Sequence, residues 1–268
     1  MKNFFLIILT IFSIAFLVFG YVHYQHRTAV SPLASAVEAE GTSDALQENS
    51  SQETEPETTS KHYSDLIANW PEEGKAHFIS KTMSNEPFKM AVVGSSALGA
   101  EDGGWSEQLK TNLQEAYGDL LEVELFEYDT TSIEFINSSQ SEEVLDFAPD
   151  LILYEPFSLN DNSGAVAPSD NHDSIDIFLS NLQAANEEAA LILQPTHPIF
   201  GATYYPIQVG ELQAFAESSS IPYLDHWTAW PALEDEELKD YVNSSQDEPN
   251  EKGHEIWADF LTSYFIAE

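Results

Sequence analysis

Cysteine is absent from this 268-residue chain. Its absence excludes disulfides, thiolate metal sites and a cysteine nucleophile, and leaves the redox compartment open. Basic residues are scarce: nine Lys and Arg stand against 46 Asp and Glu, for a formal net charge of -37. A nucleic-acid binder needs a basic footprint to displace phosphate counterions, so that class of partner is excluded. An anionic membrane surface or a polyphosphate is repelled at long range for the same reason. The acidic surplus reads as a solvated, self-repelling surface suited to salty or alkaline surroundings, where screening is strong.

Long hydrophobic runs are few as well, and the clearest is N-terminal. Phe4–Val22 is Phe, Leu, Ile, Val and Ala, interrupted only by Thr10, Ser13, Gly20 and Tyr21. At about 1.5 Å per residue it just spans a hydrocarbon core of roughly 30 Å. A cleavable signal has a shorter apolar core with a small-x-small site directly behind it. Here Tyr21, His23, Tyr24, His26 and Arg27 follow, and Ala34-Ser35-Ala36 lies too far downstream. Residues 1–27 are therefore expected to form an uncleaved single-pass anchor. Lys2 and Arg27 flank the run almost evenly, so orientation rests on the habit of short N-terminal anchors to precede exported domains. Residues 28–60 are rich in Ser, Thr, Glu and Gln, with no Lys or Arg beyond Ser31 and few large apolar side chains. Such a stretch cannot bury enough surface to fold and reads as an acidic tether.

From residue 61 to residue 268 the composition is that of a folded domain. A helix-like piece with Tyr63, Leu66, Ile67 and Trp70 opens it. Strands are expected at Lys89–Val93, Glu122–Tyr128, Leu151–Tyr154, Ala190–Gln194 and Pro222–Leu224. Helices are expected at Trp105–Tyr117, Ser141–Phe147, Ile175–Asn186, Gln208–Glu217 and Glu251–Phe265. Short apolar strands alternating with helices imply an α/β fold with a parallel sheet covered on both faces. In such sheets function sits in the loops at the carboxyl ends of the strands.

Three of those loops carry residues that could do chemistry. Val93-Gly94-Ser95-Ser96-Ala97-Leu98-Gly99 follows the first strand. A serine on a tight strand-to-helix turn is exposed and lies near free backbone N–H groups, which suits a nucleophile and an oxyanion site. The segment also reads as an ordinary glycine–serine turn. Glu155-Pro156-Phe157-Ser158-Leu159-Asn160-Asp161 follows the third strand, where Asn160 could donate its amide to an oxyanion or simply form an Asx-turn. Asp247-Glu248-Pro249-Asn250-Glu251-Lys252-Gly253-His254 opens the last helix. His254 could act as a general base oriented by Asp247, or pack as a helix-start histidine beneath the loop.

Together these segments resemble the SGNH/GDSL hydrolase family over the region from Lys89 to the C-terminus. The resemblance implies a flavodoxin-like three-layer sandwich around a central parallel sheet, with Ser96 as nucleophile and Asn160 as oxyanion donor. Ser95 and Ser158 stand where the family has Asp and Gly. Asp129-Thr130-Thr131-Ser132 lacks the glycine of the second block. The family's Asp-x-x-His is replaced by Ser245-Gln246-Asp247-Glu248, which puts Glu248 in the histidine's place. The base is then His254 with Asp247, or Glu248, or the chemistry is lost. His226 and His197, each at the carboxyl end of a strand, are further candidates for base or substrate contact. No His-x-x-x-His or comparable spacing suggests a metal, and no cofactor is expected.

The resulting expectation is a membrane-anchored, extracytoplasmic serine esterase or deacylase. Its substrate would be an O-acylated envelope polymer, a lipid or a small ester, inferred from location. The alternative is a binding domain at the cell surface that keeps the fold but has lost catalysis.

Overall fold

Apolar side chains that alternate between two faces build the sheet. In β1 (Phe88–Gly94), Met90 and Val92 join one buried cluster, while Ala91 and Val93 join another. β3 (Leu151–Tyr154) divides likewise, with Leu151 and Leu153 on one face and Ile152 and Tyr154 on the other. β4 (Ala190–Leu193) sends Ile192 to the first cluster and Leu191 and Leu193 to the second. Strands covered on both sides read as continuous apolar runs. β2 (Leu121–Glu127) instead alternates Leu121 and Val123 with exposed Glu122 and Glu124, as befits its place at the edge.

The computed structural model describes residues 63–101 and 103–267. The apolar run Phe4–Val22 and the expected tether fall outside the described residues. Among the described residues, no helix is long and apolar enough to cross a membrane.

The strands run parallel in the order β2-β1-β3-β4. Tyr223 adds a single parallel bridge to Leu193, beyond β4. The expected strand at Pro222–Leu224 is thus reduced to one bridge, because Pro222 has no N–H to contribute to a ladder. The sequence order reverses between β1 and β3, and the carboxyl ends of those two strands flank the crevice that such a reversal opens.

One face is covered by α1 (Glu72–Met83), α2 (Trp105–Tyr117) and α8 (Glu251–Phe265). α2 buries Trp105, Leu109, Leu113 and Tyr117, one residue per turn of a single stripe. α8 starts at an Asn250 cap, whose side-chain oxygen accepts the Lys252 and Gly253 amides, and buries Trp257, Leu261 and Phe265. The other face carries α3 (Ser132–Asn137), α4 (Gln140–Asp146), α6 (Pro168–Ala185) and α7 (Tyr205–Ser218), with Phe135, Val144, Phe178 and Leu212 in its core. A seven-residue helix, α5 (Ser158–Gly164), lies in the loop after β3. The layers are those of an α/β three-layer sandwich.

Three helices lie where the apolar pattern points to none. α1 buries only Gly74, His77 and Phe78, too few to write a stripe. α3 is announced by chemistry rather than periodicity: the Thr131 hydroxyl accepts the Glu134 amide and the Glu134 carboxylate accepts the Thr131 amide, a reciprocal capping box. α5 consists of turn-forming residues held by tertiary bonds. α6 starts earlier than its apolar residues do, with Pro168 in its first turn, where a missing N–H costs nothing.

Candidate active site

The turn after β1 is shaped by glycines with no space for a side chain. A Cβ on Gly94 would lie 2.5 Å from Leu98 Cδ1 and 2.9 Å from Glu155 Cβ. Gly99 is left-handed at φ 63°, and a Cβ there would meet Gly104 Cα at 2.8 Å. Between them, Ser96–Leu98 makes one 3-10 turn. The first turn of α2 clamps it from below: the Trp105 indole N–H donates to the Ala97 carbonyl (2.9 Å) and the Ser106 hydroxyl to the Leu98 carbonyl (3.0 Å). Ser95 is buried, whereas the Ser96 side chain is exposed. Among the described residues no side chain hydrogen-bonds the Ser96 hydroxyl.

Across the crevice, β3 runs into Glu155-Pro156-Phe157, and Phe157 takes the left-handed conformation (φ 57°) before α5 begins. A bulky residue there is strained and must be held by its surroundings. Here its ring is fully buried. Asn160 sits in α5 and donates its side-chain amide to the Thr130 carbonyl at 2.9 Å, leaving the second amide hydrogen for another acceptor. Its neighbour Asp161 is buried and accepts the Ser132 N–H (2.8 Å), the Ser132 hydroxyl (2.6 Å) and the Asn171 amide (2.7 Å). Burial pushes the Asp161 carboxyl above the usual range, and the Ser132 and Asn171 donors work against that shift. These bonds sew the loop after β2 to the loop after β3.

The histidines occupy three different environments. His226 is fully buried, with its Nε2–H donating to the Pro195 carbonyl (2.9 Å) and Nδ1 accepting the Trp230 indole (3.0 Å). Burial pushes its pKa down to about 3. His197 is also fully buried; its Nε2 bonds the Gln246 carbonyl at 3.2 Å, and burial pushes its pKa down to about 4. His254 is half-buried, with Nδ1 accepting the Trp105 amide at 3.1 Å. Its ring packs on the Gly99 end of the turn, where a glycine Cβ would come within 3.0 Å of Cε1. An accepting Nδ1 leaves the proton of the neutral ring on Nε2.

The loop leading into α8 carries the two acidic candidates. Asp247 is exposed and accepts from Asn243 (2.6 Å) and the Ser245 hydroxyl (2.7 Å), bonds that hold its carboxyl below the usual range; it makes no hydrogen bond to His254. Glu248 is exposed, and its charge reaches Glu127, whose carboxylate accepts the Ala100 amide at 2.8 Å. Burial pushes the Glu127 pKa up first, and the charges of Glu101 and Glu248 add to it.

The tertiary structure therefore brings Ser96, Asn160 and the loop to α8 to the same end of the sheet, and it engages His226 and His254 in other bonds. Sequence reasoning passed over Glu155, a fully buried acid beneath the serine turn. Its signal was an acidic residue directly after a four-residue apolar strand. Among the described residues no cluster of His, Asp and Glu could hold a metal ion.

No family model matches the chain, and no curated protein matches it in sequence. Solved structures do match in shape. A lipase from a goat rumen metagenome superposes with a TM-score of 0.54 at 12% identity, over 66% of this chain and 97% of its own. A GDSL-like lipase from Bacteroides thetaiotaomicron gives 0.51 at 14% identity, over 71% and 97%. A catalytic mutant of an acetylxylan esterase from Geobacillus stearothermophilus gives 0.56 at 16% identity, over 68% and 95%. The chain has the SGNH/GDSL hydrolase fold.

Proposed function

We propose that this protein is a serine hydrolase of carboxylic esters. The observation that carries the reading is the exposed Ser96 hydroxyl, held on a glycine-shaped turn after β1, with Asn160 in the loop after the adjacent parallel strand β3 at the reversal point of the sheet. The kinship of fold with lipases and an acetylxylan esterase supports the same reaction class.

Ser96 Oγ attacks the ester carbonyl carbon and its proton passes to a base. The tetrahedral oxyanion is held by the Ser96 N–H and the free amide hydrogen of Asn160. The carbon–oxygen bond to the alcohol then breaks as the base returns the proton to the leaving oxygen. Water repeats the sequence on the acyl-enzyme and releases the acid. We assign the base to Glu248, on the exposed loop before α8. His226 has both ring nitrogens bonded, and His254 accepts through Nδ1, which leaves Nε2 already protonated.

The substrate follows from the N-terminal sequence. An anchor over residues 1–27 and a tether over residues 28–60 would hold the domain outside the membrane, within reach of O-acyl groups on envelope polymers and lipids.

The test is labelling by a fluorophosphonate and hydrolysis of a short-chain nitrophenyl ester. Wild type should label and turn over, and Ser96→Ala should do neither. Asn160→Ala should lose about 10²–10³-fold in kcat, as expected for one oxyanion donor. Glu248→Gln should lose activity while His254→Gln retains most of it; the reverse pattern moves the base to His254. A folded wild type that does neither reaction is a binding domain.

A further inference from the structure

We infer that Glu155 is a positioning residue for the proposed nucleophile, its buried carboxylate tying the serine turn to the loops after β3 and β4. This rests on the esterase reading above. The carboxylate is fully buried and directly underlies the turn: a Cβ on Gly94 would lie 3.0 Å from its Oε2. Oε2 accepts the Ser95 N–H at 2.9 Å, one residue before Ser96. Oε1 accepts the Ser158 N–H at 3.2 Å, at the start of the helix that carries Asn160, and also the Thr196 hydroxyl. One side chain thus fixes the residue before the nucleophile and the first residue of the oxyanion helix in a single frame.

All three partners are donors, the pattern that an ionised carboxylate satisfies and a neutral amide cannot. Burial raises the Glu155 pKa, and the bonds from Thr196, Ser95 and Ser158 oppose that rise. A buried acid is costly unless its lone pairs are filled. Here the filling comes from the two halves of the proposed site. Glutamine at this position has the same shape but a single acceptor oxygen. If that oxygen keeps Ser158 and Thr196, its NH2 faces the Ser95 N–H donor to donor. If the amide is flipped, Ser95 is kept but the NH2 faces the Ser158 N–H donor to donor, and only the Thr196 hydroxyl can turn to accept. Either way the turn and the oxyanion helix are uncoupled.

The test is Glu155→Gln in the full chain, compared with wild type by nitrophenyl ester kinetics and by amide hydrogen exchange. The expected result is a fall in kcat of about 10–100-fold with KM changed less than threefold. Exchange of the Ser95 and Ser158 amides should accelerate while the amides of β3 stay protected. A variant with wild-type kcat, or with unchanged exchange at both amides, overturns the inference. So does a loss of activity that merely follows the unfolded fraction. If wild type neither hydrolyses ester nor takes the fluorophosphonate, the esterase reading fails. The exchange comparison then separately decides whether Glu155 holds the turn.

Discussion

The imidazole of His226 lies flat on the indole of Trp257, with ring centroids 4.0 Å apart and planes 10° apart. Trp257 also stacks on Trp105 at 4.6 Å, and its indole N–H donates to the Gln194 side chain at 3.0 Å. A histidine that the sequence places at a strand's carboxyl end is thereby made part of the core. Its two hydrogen bonds and its stacked face leave no edge for a substrate.

Replacing His226 by phenylalanine separates the stack from the bonds. The ring contact with Trp257 can persist, but the Trp230 N–H and the Pro195 carbonyl lose their partner. Each buried group left unpaired costs about 1–3 kcal/mol. His226→Phe should therefore lower unfolding stability by about 2–6 kcal/mol in urea titrations. An unchanged midpoint would show that the bonds contribute nothing.

Acid should destabilise the fold through the same histidine. Its folded pKa is about 3, below the ordinary value near 6.5, so the unfolded chain binds a proton that the folded one refuses. Stability attributable to His226 is intact above about pH 6.5 and is lost as pH falls from there toward about 3, at about 1.4 kcal/mol per pH unit. His197, with a folded pKa of about 4, adds the same sign over a narrower window. Raised carboxyls such as Glu155 and Asp161 act oppositely, gaining relative stability as pH falls. The clean measurement is the difference in melting temperature between wild type and His226→Phe as a function of pH. That gap should shrink on acidification, and a constant gap would contradict the assignment.

Two glycines with the same backbone sign should respond differently to alanine. Gly99 (φ 63°) has Gly104 Cα and His254 against its missing Cβ, whereas Gly201 (φ 68°) has open space. Gly201→Ala should cost about 1 kcal/mol from the left-handed backbone alone. Gly99→Ala should cost at least about 3 kcal/mol and should also abolish fluorophosphonate labelling, because the turn bearing Ser96 must shift. Equal stability losses in denaturant would refute the packing argument.

Asp161 should prove structural as well as local to the site. Asp161→Ala strips the acceptor from Ser132 and Asn171, which lie 29 and 10 residues away in sequence. A loss of about 3–5 kcal/mol is expected, accompanied by faster proteolysis near α3. A variant within 1 kcal/mol of wild type, on the scale of an ordinary surface change, would mean that the loops hold without it.

The strands and the long helices were legible because their signals are local. Leu151–Tyr154 is apolar throughout and Trp105–Tyr117 repeats its large side chains every fourth residue, so burial could be read from spacing alone. The glycine-shaped turn around Ser96 and the Asn160-bearing loop could be placed at strand ends for the same reason. α5 could not be read this way. Ser158–Gly164 has no apolar period, and the bonds that hold it, Ser158 to Glu155 and Asp161 to Ser132, join segments 3 and 29 residues apart.

Composition and periodicity alone determined that this is an acidic, cysteine-free chain with a parallel α/β domain, and which loops gather at its working edge. They did so because helix and strand patterns are properties of neighbouring residues. What each polar side chain does at that edge was decided only by tertiary structure. His226 became a core residue and His254 a partner of the Trp105 amide, while Glu155 came to lie beneath Ser95. Whether a buried group is a tool or a brace depends on which donors and acceptors surround it, and those arrive from distant parts of the chain.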